Sequence, residues 1–261
     1  MLASPDTRVD AIVLAGAEND GKLRRASPCA HEALIEIGGK PMVAYVIAAL
    51  RESGRVRRIV VVGPDPELGR AIAGLGVEFV PCGQRMVENL RIGIQHLSPG
   101  RQVLIVTSDI PLLTAAAVID FLDRCAARQA DIYYPIIERR ANESRFPGAH
   151  RTYVRLRDGV FTGGNLVLLE PGIVERCQEV IERAVAMRKK PWQLSRLLGP
   201  RFIVKFICNR LTLAEIEERV EKILGCRGAA IVTPFPEIGI DVDKPADLAL
   251  VSRFLNGAPG A

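Results

Sequence analysis

Four short apolar runs, Asp10 to Leu14 (DAIVL), Arg58 to Val62 (RIVVV), Val77 to Val80 (VEFV) and Val103 to Thr107 (VLIVT), carry apolar side chains on successive positions. Strands of that kind are buried on both faces, the habit of a parallel sheet covered by helices on either side. Between them the spacing predicts helices over Pro41 to Ser53, Val87 to Leu97 and Thr114 to Arg128, with apolar residues three and four apart. The first has proline in its opening turn and Gly54 just past its end. Repeated strand, helix, strand order implies right-handed crossovers. The expected class is therefore α/β, a doubly wound, mostly parallel sheet flanked by helices.

Past the fourth run the pattern loosens. Asp131 to Ile137 is expected to be a strand and Glu138 to His150 (ERRANESRFPGAH) a polar loop. Thr152 to Arg157 and Asn165 to Leu169 are expected as strands around a turn at Asp158-Gly159. Helices are expected over Gly172 to Met187, Trp192 to Ile207 and Leu213 to Leu224, the last capped by Thr212. Two short strands, Ala229 to Val232 and Ile238 to Val242, and a helix over Pro245 to Phe254 complete the pattern. A length of 261 residues admits one domain or two. Neither an internal repeat nor a linker-like stretch divides the chain, so a single domain over 1–261 is expected, with residues 138–228 inserted as a cap.

Composition narrows the partners. With 48% hydrophobic and 25% charged residues, disorder, collagen and coiled coil are excluded as overall classes. The formal charge of +5 suits a phosphorylated ligand or nucleic acid, or only solubility. Aromatics make up 5% and no basic block is interleaved with them, which argues against nucleic acid as a partner. Cys29, Cys82, Cys125, Cys177, Cys208 and Cys226 form no C-x-x-C pair and have no nearby pair of histidines, so they read as reduced, mostly buried thiols. The opening MLASPDTRVDAIVLAGAEND has the form of neither a signal peptide nor a spanning helix; a cytoplasmic protein without a membrane partner is expected.

Four segments can carry chemistry. LAGAENDGKLRR (Leu14 to Arg25) leaves the carboxyl end of the first strand, where open α/β sheets bind ligands, and its backbone N–H groups can wrap a phosphate beside Lys22, Arg24 and Arg25. The alternative is a surface turn with solvated basic residues. It matches neither G-x-G-x-x-G nor a Walker A loop, against a dinucleotide dehydrogenase or a P-loop enzyme. In TSDIP (Thr107 to Pro111), Asp109 either holds Mg²⁺ between phosphate oxygens or caps a helix, although Thr114 is better placed to cap. In PEIGIDVDKPADL (Pro236 to Leu248), Asp241 and Asp243 are taken to lie across a short strand, so that only one faces the cleft and joins Asp109. Gly163-Gly164-Asn165 in FTGGNLVLL lets the backbone approach a ligand and Asn165 meet a sugar hydroxyl, or forms a plain hairpin turn.

In this order and spacing, LAGAENDGKLRR, then EALIEIGGKPMVAYVIAAL (Glu32 to Leu50), TSDIPLLT and GIDVDKPADL resemble the GT-A type nucleotidyltransferases. That group includes molybdenum-cofactor guanylyltransferase, methylerythritol-phosphate cytidylyltransferase and sugar-1-phosphate nucleotidyltransferases. The middle of the chain is more similar to an uncharacterised bacterial subgroup related to the guanylyltransferase. The resemblance implies a GT-A-like fold and attack of a small phosphorylated acceptor on the α-phosphorus of a nucleoside triphosphate, releasing pyrophosphate, with Mg²⁺. Positioning and charge neutralisation carry such a displacement. The resemblance also implies that Ala15, Gly16 and Ala17 touch base and ribose, and that Lys22 and Arg24 meet the triphosphate. Gly83 and Asn89 would read the base edge. Asp109 and Asp243, with Asp241 as the alternative partner, would hold the metal, while Gly164 and Asn165 face the acceptor and 138–228 becomes an acceptor-side cap.

Two departures from the family pattern stand out. The loop is stretched to GAENDGKLR where the family has G-x-G-x-R. Glu32 stands where the family commonly has the lysine that reaches the α-phosphate, and a carboxylate there repels a triphosphate. Lys40 is read as a solvated residue ahead of Pro41. Arg151, Tyr153, Arg155 and Arg157 share one face if Thr152 to Arg157 is a strand, either as an anion-binding row or as a solvated or subunit-facing one. His31, His96 and His150 are isolated and read as structural or solvated. The competing hypothesis is a catalytically lapsed nucleotide- or sugar-nucleotide-binding protein on the same fold, motivated by Glu32. A GT-A glycosyltransferase is disfavoured because TSDIP offers one carboxylate and no Asp-x-Asp. A homodimer is left open.

Overall fold

The structure, a computed structural model, describes residues 8–178 and 199–257. Its centre is a mixed sheet of β1 (Val9–Leu14), β4 (Val56–Gly63), β5 (Glu78–Pro81), β6 (Val103–Thr107), β7 (Ile132–Glu138), β8 (Val154–Leu156), β9 (Gly159–Gly163), β10 (Leu166–Leu169) and β11 (Gly228–Thr233). The strand order is β5-β4-β1-β6-β10-β7-β9-β8, with β11 pairing on β7. A two-stranded ribbon, β2 (Glu36–Ile37) with β3 (Lys40–Pro41), lies apart. The run β5-β4-β1-β6 is parallel throughout, as the continuous apolar patterns require. From β10 to β8 the pairings are antiparallel, and β11 returns parallel to β7.

Burial on both faces is visible residue by residue. Ala11, Val13, Ile59, Val61, Leu104 and Val106 face one core with α1 (Met42–Glu52) and α4 (Ala115–Ala126). Ile12, Val60, Val62, Val103 and Ile105 face the other, covered by α3 (Met86–Leu97), while the short α2 (Glu67–Ala71) lies between β4 and β5 in the chain. Gly93 of α3 lies so close to β1 that a Cβ would stand 2.8 Å from Ile12 Cγ2. Thr114 caps α4 by accepting from Ala117 N at 3.2 Å, and its hydroxyl also donates to Glu237 Oε1 at 2.9 Å.

A third core decides where the loops go. Leu23, Ile35, Ile37, Met42, Leu112, Phe146, Ile240, Val242, Leu250 and Val251 pack together, with Phe254 edge-on to Phe146 at 4.9 Å. It gathers the loop after β1, the stretch 240–243 and the helix that follows them in the chain over one end of the sheet.

Several expectations need correction. Glu138 to His150 contains α5 (Arg139–Arg145), held by Asn142, which is wholly buried and donates to Tyr153 Oη at 2.8 Å. The expected strand over Thr152 to Arg157 shrinks to β8, an edge strand, leaving Arg151 and Tyr153 ahead of it; the arginine row does not form. β9, missed in the sequence, pairs with β8 through a turn at Gly159, whose φ of 151° suits glycine. The expected strand over Ile238 to Val242 is a 3-10 turn, Pro236–Gly239, followed by irregular chain. Of the helices expected over Gly172 to Met187 and Trp192 to Ile207, α6 (Gly172–Arg176) and α7 (Pro200–Ile207) are seen; the rest falls outside the described residues. α8 (Leu213–Leu224), capped by Thr212 with Glu215, and α9 (Pro245–Leu255) match their patterns. Residues 138–228 supply β8, β9 and β10 to the main sheet, and β10 sits between β6 and β7.

Candidate active site

The site is built at the carboxyl ends of β1, β5 and β6. Leaving β1, Ala15 N donates to Val62 O at 2.8 Å and Leu14 O accepts from Ser108 N at 3.1 Å, so the first loop and the Asp109 turn are tied together. The loop then doubles back. Asn19, buried, donates from Nδ2 to Ser27 O (3.1 Å) and Cys29 O (2.9 Å), and Glu32 N donates to Ala17 O at 3.2 Å. This fold-back brings Glu32 to the acidic end of the site. Lys22, Arg24 and Arg25 lie exposed on a 3-10 turn; Arg24 Nη1 is spent on the carbonyls of Pro28 (2.7 Å) and Cys29 (3.0 Å). Lys40 is exposed in β3.

On the β5 side, Asn89 projects from α3 and accepts from Gly83 N at 2.7 Å. Gly16 faces the same amide, its absent Cβ falling 3.1 Å from Asn89 Nδ2 and 3.4 Å from Cys82 Sγ. Gly16, Gly83 and Asn89 thus form one surface, and Ala17 beside it is exposed. A Cβ on Gly83 would displace the Glu88 carboxylate that accepts from Gln84 N.

At the end of β6, the Thr107 hydroxyl donates to the Asp109 carboxylate, and Val242 N donates to Asp109 O at 2.9 Å. Asp109, Asp241 and Asp243 each bring a carboxylate oxygen to within 4.8 Å of the others. Both Asp241 and Asp243 therefore join Asp109, contrary to the expectation that only one faces the cleft. Residues two apart in an extended chain share a face, and Ile240 and Val242 have taken the other into the third core. Burial, with Asp243 beside it, pushes the Asp109 carboxyl above its ordinary value; the Thr107 hydroxyl and Arg151 oppose this. Glu32 is pushed up to about 7, first by burial and then by the charges of Asp109, Asp243 and Asp20.

β9 and β10 are one strand interrupted. Gly163 stands opposite Ile136 and Leu168 opposite Tyr133, a shift of register taken up at Gly164-Asn165. Gly164 N donates to Pro135 O (3.0 Å), Asn165 N to Ile238 O (3.0 Å), and Thr107 N to Asn165 O (3.1 Å). A Cβ on Gly164 would lie 2.6 Å from Ile238 Cγ2, so only glycine fits this stitch. The Nδ2 of Asn165 is buried without a hydrogen-bond partner among the described residues. Arg151, expected on one face of a strand in either an anion-binding row or a solvated or subunit-facing one, instead pairs with Asp241. Sequence reasoning also missed Thr107, whose only signal is its place two residues before Asp109.

The domain model described as a MobA-like NTP transferase domain matches residues 11–205. The chain belongs to that family. A hypothetical transferase from Thermus thermophilus is 41% identical, with a TM-score of 0.81, covering 92% of this chain and 99% of that one. CMP:2-keto-3-deoxy-manno-octonic acid synthetase, 13% identical, shares the fold at a TM-score of 0.63, with 95% and 98% covered. Bifunctional protein GlmU of Rhizorhabdus wittichii is 32% identical over 122 residues, 43% of this chain and 26% of that protein. The 2-C-methyl-D-erythritol 4-phosphate cytidylyltransferase of Streptomyces coelicolor is 30% identical over 113 residues, 38% of this chain and 42% of that one. The chain thus spans about a quarter to a half of the length of the curated relatives it matches. The expected α/β nucleotidyltransferase fold and the resemblance to the nucleotidyltransferases are borne out. Among the described residues no helix is long and apolar enough to cross a membrane, and all six cysteines are free, with Cys208 exposed.

Proposed function

We propose that this family member transfers a nucleoside monophosphate from a nucleoside triphosphate to a small phosphorylated acceptor, releasing pyrophosphate, in a Mg²⁺-dependent reaction. The observation that carries the reading is the trio Asp109, Asp241 and Asp243 at the β6 end, enclosed by the first loop and the β9–β10 break. Carboxylate oxygens are the donors a hard cation such as Mg²⁺ prefers, so the set fits. Asp109 and Asp243 would hold the ion, with Asp241 at hand. Bound there, Mg²⁺ neutralises phosphate charge and polarises the α-phosphorus.

The chain's own residues do the rest. Gly16 and Ala17 flank base and ribose, with Ala15 wholly buried beneath them, and Gly83 and Asn89 present the base-edge surface. Lys22, exposed at the loop, has its ammonium available for the triphosphate, whereas Arg24 has to leave two carbonyls to reach it. The unpartnered Nδ2 of Asn165 offers a donor to the acceptor beside Gly164. In-line transfer between two anions requires this positioning more than covalent help. The test is pyrophosphate release from each of the four triphosphates with Mg²⁺ and a panel of phosphorylated sugars, polyols and pterins. Release with one pair supports the reading; thermal stabilisation by a triphosphate with no release from any acceptor favours the second.

That second reading is a nucleotide-binding protein without transfer, and Glu32 favours it, since it sets a carboxyl group and no cation beside Asp109 and Asp243. Glu32→Lys separates the two. Transfer that appears only in the variant marks a lapsed enzyme.

A further inference from the structure

Arg151 enters the acid trio from the chain segment ahead of β8. Its guanidinium pairs with the Asp241 carboxylate, and the two side chains are 18% and 14% exposed. Nη2 reaches Gly163 O at 3.5 Å, the outer limit of a hydrogen bond, while Nε is buried without an acceptor among the described residues. An arginine fork has five donors and prefers two parallel bonds to one carboxylate; this one is held by charge more than by hydrogen-bond geometry. Its neighbours explain why. Asp109, Asp243 and Asp247 all act on it, favouring the charged form against burial, and it in turn favours the charged form of Asp109. The groups facing Arg151 are thus acidic apart from Tyr134.

We propose that Arg151 is a resident counter-ion, a positioning residue that takes Asp241 out of the metal-binding set so that the site holds a free divalent ion weakly and receives it with the triphosphate. This rests on the metal-dependent reading above. Two carboxylates, Asp109 and Asp243, remain for the cation, and the nearby guanidinium repels a bare ion as one positive charge repels another. Phosphate oxygens arriving with the ion replace the missing ligand and shield that repulsion. Loading of the metal together with the nucleotide follows.

Mn²⁺ is the probe: alone, it is titrated into the purified full chain and followed by the loss of its free electron-paramagnetic signal; with a triphosphate, which chelates the ion itself, Mn²⁺ retained with the protein on ultrafiltration is compared with a protein-free blank. Arg151→Met is expected to tighten Mn²⁺ about tenfold, by removing a like charge and freeing Asp241. Arg151→Lys, which keeps the charge, is expected to bind Mn²⁺ as the wild type does. The double variant Arg151→Met/Asp241→Asn is expected to lose most of the gain. Circular dichroism confirms that each variant is folded. If Arg151→Met binds Mn²⁺ no more tightly than the wild type, while the wild type binds it in the presence of a triphosphate, the counter-ion role is overturned and the metal-dependent reading stands. If the double variant keeps the full gain, Asp241 is not the ligand that Arg151 withholds, and the proposal fails. Absence of Mn²⁺ binding in every variant, with or without each triphosphate, sinks the metal-dependent reading and this inference with it.

Discussion

The two halves of the sheet deliver their residues to the site by different means. In the parallel half, β5-β4-β1-β6, each strand ends where its apolar run ends, and the next residues, Ala15 to Ala17, Cys82-Gly83 and Ser108-Asp109, fall on the rim. In the antiparallel half the positions come from an interruption and from stitches between distant segments: Asn165 to Ile238, Val242 to Asp109, Arg151 to Asp241. A parallel strand buried on both faces announces its own end. An irregular segment is placed by whatever it bonds to, and its bonding partners lie tens of residues away.

The sharpest way to break that contrast is to remove the one side chain that both halves share. Asp109→Ala is expected to cut pyrophosphate release by at least about 10²-fold. Residual activity within tenfold of wild type would move catalysis away from the β6 end. A smaller effect, confined to the parallel half, is expected at Arg57. It holds the buried Asp10 carboxylate through two bonds of 3.0 and 2.7 Å. Arg57→Ala strands that charge at the amino end of β1 and should cost about 3 kcal/mol in urea unfolding while leaving nucleotide affinity unchanged. Loss of affinity would show that the two ends of β1 are coupled.

A matched pair of overpacking changes compares the halves directly. Gly93→Ala and Gly164→Ala each force a methyl against an isoleucine, Ile12 in one case and Ile238 in the other. Each is expected to cost about 1–3 kcal/mol. Only Gly164→Ala should also lower turnover, because its neighbour Asn165 is bonded to Ile238 and Thr107. Equal turnover in both would mean that the interrupted strand is structural alone. Thr114→Ala removes a helix cap together with the bond to Glu237, and a loss of about 1 kcal/mol in thermal or urea unfolding is expected.

The smallest effect is the pH dependence of Glu32. Its folded pKa, about 7, lies above the ordinary 4.5, so between those values the folded chain keeps a proton that the unfolded chain has released. Its contribution to stability is full below about pH 4.5 and is lost as pH rises through about 7. Glu32→Gln should flatten the fall of melting temperature across that window. Parallel curves for variant and wild type would show that Glu32 does not sense Asp109 and Asp243.

Legibility in the sequence follows the same divide. β1, β4, β5 and β6 and helices α1, α3 and α4 were expected within two residues or so of where they lie, because burial on two faces and helical spacing are local signals. Asp109, Gly83 and Asn89 could be singled out because their segments follow those strands. Asp241 and Asp243 stand out in the sequence, but their common face does not. It depends on Ile240 and Val242 finding a core made of Leu23, Ile35, Phe146 and Val251. In the sequence Glu32 is an obstacle to a triphosphate; its coupling to Asp109 arises only from the fold-back pinned by Asn19.

By itself, then, the sequence determined the α/β class, the parallel half of the sheet, the family and the rim at β6, since each rests on periodicity or on motifs contiguous along the chain. Only the tertiary structure decided that three aspartates meet, that Glu32 faces them and that Arg151 pairs with Asp241 rather than lining a strand. Charge interactions act through space, and the residues that meet here are up to 211 positions apart, from Glu32 to Asp243. No local pattern records them.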